Sequence, residues 1–279
     1  MAFRKLLFAT AGIPLNTPSP HTTIDGLNYV KSLGLGGMEL EFVHSVNVSE
    51  QKAPLVKKSA EENELVLSCH GSYYINLNAV EEEKIEASVG RVLSAARRAE
   101  ASGAFSMTFH PAFYLKESKE KTFSNVKKQF ERIILELKST KNKIWVRPET
   151  TGKRTQFGSL DELLSLSSQL DQVLPCIDFS HLHARSGGKM NSYAEFYSEL
   201  EKSEKILGKD FLKNLHCHVS GIAYSEKGEK NHLILADSDF KYKELLKALK
   251  DFDCKGLIVC ESPNIEEDAL LLKKTFEEI

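Results

Sequence analysis

The stretch Gly256-Leu-Ile-Val-Cys260, followed by Glu261-Ser-Pro263 and then by the run Glu266 to Phe276, decides the fold. A short apolar run of this kind reads as a buried strand, and apolar residues recurring at three- and four-residue steps behind it read as a helix. The same unit recurs upstream. Strands are expected at Leu6 to Ala9, Gly37 to Phe42, Leu65 to Cys69, Phe105 to Phe109, Ile144 to Arg147, Val173 to Ile177 and Leu215 to Val219. Helical periodicity is clearest over Lys84 to Ser102, Phe123 to Lys138, Ser159 to Leu170, Ser192 to Leu207 and Tyr242 to Leu249. Ser159-Leu-Asp-Glu162 supplies a capping box. Eight βα units in 279 residues describe one α/β domain over 1–279, a (β/α)8 TIM barrel, better than an open doubly wound sheet.

Composition narrows the class further. With 41% hydrophobic and 27% charged residues, the chain is neither disordered nor fibrous. A net charge of −2 supplies no global field for nucleic acid or an anionic membrane, so any polyanion must be held locally. No run approaches the ~18 apolar residues of a membrane span. The opening Met1 to Ala11 mimics a signal peptide, but its apolar core is too short and it reads as the first strand. Five cysteines, an odd number without a C-x-x-C pair, point to a reducing cytoplasm. Ser220 to Asp239 is the longest expected loop.

In such a barrel the reacting groups stand where strands end. His70 closes the third strand, His110 the fourth, Glu149 the fifth, Asp178 the sixth, His218 the seventh and Glu261 the eighth. His181 follows Asp178 by three residues, and His232 lies in the long seventh loop. Nitrogen and carboxylate donors without thiolates suit Zn²⁺ or Mn²⁺ in a catalytic site. One ion is saturated by about four ligands, so this surplus implies two or three ions, the chemistry of phosphodiester hydrolysis. Cys69, Cys217 and Cys260 each precede a candidate ligand by one residue, so strand alternation turns them to the opposite face as core thiols.

At these residues the sequence resembles the endonuclease IV family of abasic-site endonucleases, part of the xylose isomerase-like TIM barrel superfamily. His70-Gly-Ser-Tyr73-Tyr-Ile-Asn76-Leu77 is similar to the family's H-x-P-Y-x-I-N-L. Phe109-His110-Pro111, Glu149-Thr150, Cys176-Ile-Asp178-Phe-Ser-His181, His218-Val-Ser-Gly221 and Glu261-Ser-Pro263 follow in the family's order. The resemblance implies that His70 and His110 hold a first ion and that Glu149 bridges it to a second, which Asp178, His218 and Glu261 complete. It implies that His181 and His232 serve a third ion, and that Tyr73 enters the DNA beside a flipped-out abasic nucleotide. The family completes its third site with D-x-H, whereas this chain reads Glu229-Lys-Asn231-His232. Two alternatives follow: His232 serves with Glu229 at an i, i+3 spacing, or Asn231 replaces the ligand and the third ion is weak or missing. The second loop, Val43 to Ser49, lacks the family's Arg and Gln groove residues.

The implied activity is zinc-dependent cleavage on the 5′ side of an abasic nucleotide in double-stranded DNA, by a cytoplasmic monomer, with Glu149 as the catalytic carboxylate. Lys153, Arg154, Arg185, Lys189, Lys227 and Lys230 are positioned to meet phosphates, Arg185 foremost as a DNA contact. The rival is a sugar isomerase or epimerase on the same barrel, using one ion held by Glu149, Asp178, His218 and Glu261. A non-hydrolytic metal-pocket binding protein is the third reading. Only the multinuclear hydrolase needs His70, His110 and His181.

Overall fold

The computed structural model describes residues 3–279. Eight parallel strands form its centre: β1 (Leu6–Ala11), β2 (Gly37–Glu41), β3 (Val66–His70), β4 (Ala104–Phe109), β5 (Trp145–Pro148), β6 (Ile177–Asp178), β7 (Leu215–Val219) and β8 (Gly256–Cys260). Their order in the sheet is β5-β4-β3-β2-β1-β8-β7-β6. Parallel bridges Val146–Val173 and Glu149–Cys176 then join the two edges. The opening segment is therefore a strand; Met1 and Ala2 lie outside the described residues.

Long helices, among them Glu82–Ala101, Lys119–Ser139 and Tyr193–Leu207, carry the crossovers. Their ends follow local chemistry. Ser159 and Glu162 form the expected capping box, and Thr22 with Asp25 and Ser192 with Glu195 form two more. The sixth strand is shorter than the expected Val173 to Ile177, because Pro175 has no N–H to give a neighbour. Only the two bridges and Ile177–Asp178 remain of it. The expected loop over Ser220 to Asp239 is also corrected. It folds as an antiparallel hairpin, Gly221–Ser225 with Gly228–Leu233, followed by a short 3-10 turn.

Strand alternation sorts the side chains into two environments. Leu67, Cys69, Met107, Phe109, Val146, Cys217, Ile258 and Cys260 belong to the main core. A smaller apolar cluster, Ala9, Val66, Leu257 and Val259, packs with Leu7 and Phe105. Arg147, fully buried, lies over the Phe105 ring and donates to the carbonyls of Pro175 (3.1 Å) and Asn214 (2.6 Å). Above it, the inward residues at or just past the carboxyl ends of β2 to β8 are polar, among them Glu41, His70, His110, Glu149, Asp178, His218 and Glu261.

Candidate metal centre

Glu149 occupies the middle of the mouth. It follows β5, is fully buried, and touches four imidazoles. Its Oε2 lies 3.1 Å from His70 Nε2, and its Oε1 lies 3.2 Å from His110 Nε2, 3.2 Å from His181 Nδ1 and 3.5 Å from His218 Nδ1. Burial alone would push this carboxyl up; the imidazoles of His110 and His218 hold it well below its usual value instead.

The ring orientations are set from behind. His70 Nδ1 donates to the Gly71 carbonyl (2.8 Å), His181 Nδ1 to Thr150 (2.9 Å) and His232 Nδ1 to Glu261 (3.2 Å). A carbonyl only accepts, so Nδ1 carries a proton and Nε2 is the nitrogen turned toward the mouth and left for a cation, the outer-shell arrangement of metal-binding histidines. Asp178 does two jobs with its two oxygens. Oδ1 caps the helix Phe179–Ser186 by accepting from His181 N at 2.6 Å, and Oδ2 has no hydrogen-bond partner. Glu261 Oε1 lies 3.2 Å from His218 Nδ1, while its Oε2 is also unpartnered.

Three groups of donors result: His70, His110 and Glu149; Glu149, Asp178, His218 and Glu261; and Asp178, His181 and His232. Within each, the ligand atoms lie within 4.8 Å of one another. All eight strand-end and loop candidates thus come together at one mouth. Glu229 joins the third group, its Oε2 lying 3.5 Å from His181 Nε2, which is 3.4 Å from His232 Nε2. Asn231 instead bonds the His232 carbonyl. Buried orphaned oxygens of Asp178 and Glu261 beside imidazole nitrogens fit divalent cations bound through nitrogen and carboxylate. The electrostatics agree: burial opposes a charge on His70, yet Glu149 pushes it up to about 10. Burial and its neighbours' charges push Asp178 up to about 6, His181 working against them. The cluster is short of positive charge.

A cavity of about 230 Å³ opens over the groups, lined by His70, Tyr73, His110, Lys153, Gln156, His181, Glu229, His232 and Glu261. Tyr73 stands at its rim, 56% exposed and edge-on to His70. Exposed His44 and Tyr74 stand near it. Arg185 corrects an expectation. Its Nη1 donates to the carbonyls of Thr151, Lys153 and Gln156, so the guanidinium ties down the loop after β5 and is not free for a phosphate.

Sequence reading passed over three inward residues. Glu39 and Glu41 alternate on β2, and His216 stands two residues before His218 on β7. Reading β2 through to Phe42 put an apolar residue at its end and hid both carboxylates. The i, i+2 spacing was the available signal. Burial and Glu39 push Glu41 up to about 8.

Residues 27–277 match the family described as Xylose isomerase-like TIM barrel. Over 98% of both chains, the sequence is 46% identical to an uncharacterized protein of Methanocaldococcus jannaschii. It is 29% identical to apurinic-apyrimidinic endonuclease 1 of Plasmodium berghei over 79% of this chain, which spans 43% of that protein's length. Endonuclease IV from Thermus thermophilus superposes with a TM-score of 0.74 at 17% identity, covering 97% of this chain and all of that one. A D-tagatose 3-epimerase-like protein gives 0.74 at 16%, covering 98% and 96%. At such identities these two structures speak for the fold alone.

Proposed function

The chain belongs to the xylose isomerase-like TIM barrel family, and within it we propose that it is a metal-dependent phosphodiesterase that cuts double-stranded DNA on the 5′ side of an abasic nucleotide. One observation carries this reading: Glu149 belongs to both the first and the second donor group and Asp178 to both the second and the third, so the donors form three adjoining groups. Adjoining groups with a shared carboxylate suit a multinuclear centre. Sugar chemistry on one ion has no use for His70 and His110.

His70 and His110 with Glu149 would hold one ion, Glu149 with Asp178, His218 and Glu261 a second, and His181 with His232 and Glu229 a third. Zn²⁺ suits these donors best, with Mn²⁺ as the alternative. Such ions, when bound, supply Lewis-acid stabilisation of phosphoryl oxygens and lower the pKa of water. Glu149 orients the attacking water, its Oε2 facing His70 and its Oε1 facing His110 and His218. Lys153, on the cavity wall, meets the phosphate as a cation. Tyr73 supplies an aromatic edge to stack where a base is missing. A cavity of about 230 Å³ suits a single extruded residue better than a duplex, in keeping with a nucleotide that leaves the stack to react.

The test is cleavage of a duplex carrying one abasic analogue, by protein loaded with Zn²⁺, with the intact duplex as control. Strand scission leaving a 3′-hydroxyl supports the proposal, and no scission at any loading rejects it. A second reading, epimerisation of a sugar, rests on the Glu149, Asp178, His218 and Glu261 group being complete by itself. A loading of one ion per chain, unchanged in His70→Ala and His110→Ala, would favour it.

A further inference from the structure

Beneath the mouth lies a second set of donors. His216 Nδ1 pairs with Ser106 Oγ at 2.9 Å, which leaves Nε2, 3.0 Å from Glu39 Oε2. His218 turns Nδ1 toward Glu149 and Glu261 and leaves its own Nε2 3.0 Å from Glu39 Oε1. All three side chains are fully buried. Cys176 points inward by the same alternation, two residues before Asp178. Cys176, His216 and His218 each bring a ligand atom within 4.8 Å of the others.

The contacts around Glu39 are close but are not hydrogen bonds. His216 Nε2, His218 Nε2 and Glu39 Oε1 are all buried without a hydrogen-bond partner. Two donors at ~2.1 Å from one tetrahedral cation stand about 3.4 Å apart, a few tenths of an ångström beyond these contacts, with no proton aligned between them. The mouth shows the same signature, where His218 Nδ1 lies 3.2 Å from Glu261 and 3.5 Å from Glu149 yet has no hydrogen bond. A polar plug held by hydrogen bonds alone would align its donors, as Ser68 Oγ does on Glu39 Oε2 at 2.6 Å.

We propose that the barrel interior carries a further divalent-cation site, built by Cys176, His216, His218 and Glu39, beneath the mouth and joined to it through the His218 ring. The inference extends the reading of the mouth as a metal centre. One sulfur, two nitrogens and a carboxylate select Zn²⁺ over Mg²⁺, Ca²⁺ or Mn²⁺. Binding displaces the Cys176 thiol proton, and with both ring nitrogens engaged His218 loses its N–H proton as well. Both protons leave to solvent.

Cobalt(II) substitution tests the site without any assay of activity. The mouth ligands are nitrogen and oxygen, and Cys69, Cys217, Cys254 and Cys260 belong to the outer core. A thiolate-to-cobalt charge-transfer band therefore reports Cys176. The loaded wild type should show that band together with the visible cobalt bands. Cys176→Ser, nearly isosteric, should lose the band and keep the visible bands. His216→Gln should lose the band and bind about one equivalent less per chain. Visible bands without a thiolate band in the wild type overturn the interior site and leave the mouth reading intact. No cobalt uptake overturns both.

Discussion

Glu229 and His232, three residues apart in one hairpin strand, present their side chains on the same face. Ile222 and Tyr224 on the partner strand are two apart and share a face; they pair with His232 and Glu229. The register slips between Ala223 and Tyr224, so Lys230 is the extra residue of a β-bulge. The bulge converts a three-residue spacing into the equivalent of a two-residue one, and decides between Glu229 and Asn231 as the partner of His232. Glu229→Ala and His232→Ala should each lower bound zinc by about one equivalent per chain. Asn231→Ala should leave the count unchanged, as elemental analysis would read.

Glu149→Gln removes the charge that four imidazoles share. On the proposed chemistry it should cut abasic duplex at least ~100-fold more slowly, the scale of losing a principal electrostatic group. Chelation should abolish cleavage by the wild type, and added Zn²⁺ should restore it. Single-turnover rates at saturating protein separate this loss from one of binding, and an unchanged rate would remove Glu149 from the mechanism.

Tyr73 is exposed and meets His70 only ring to ring, with no hydrogen bond to a donor, so its removal leaves the donor set complete. Tyr73→Ala should weaken binding of an abasic duplex about 10-fold or more, within the range for stacking on one aromatic. Its metal content and thermal midpoint should stay those of the wild type. Fluorescence anisotropy with a labelled duplex measures the first, and a shift in metal count would reassign Tyr73 to the centre.

Glu266 anchors the loop after β1 from the last helix, accepting from Leu15 N (2.8 Å) and Asn16 N (2.9 Å). Burial would raise its pKa; the backbone donors of Asn16 and Leu15 lower it below the ordinary value. A lowered folded pKa means its stabilisation is present above the unfolded carboxyl value of about 4.3 and fades as pH falls through the folded one. Glu266→Gln should be destabilised by about 2 kcal/mol at pH 7, one amide being left without an acceptor. The gap to wild type should narrow below pH 4 in denaturant melts. A gap that does not change with pH would show that shape, and not charge, holds the loop.

The periodicity of short apolar runs and amphipathic helices made the barrel legible, because each βα unit is a local pattern that needs no knowledge of its neighbours. The proline in Val173-Leu-Pro175-Cys176 carried its own warning that the sixth strand would be short. The hairpin in the seventh loop was harder to see. Tyr224-Ser-Glu-Lys-Gly228-Glu is polar on both faces, so alternation gives no signal there.

The sequence by itself determined which side chains stand at strand ends, and so six of the eight candidate donors of the mouth, since a parallel barrel sends every carboxyl end to one face. Tertiary structure alone decided how they divide. Glu149 falls between four imidazoles, Glu229 is brought in by a bulge, Arg185 is taken up by carbonyls, and Glu39, Cys176 and His216 meet in the barrel's interior. Each of these depends on distances between strands remote in sequence, set by register and packing, which no local pattern encodes.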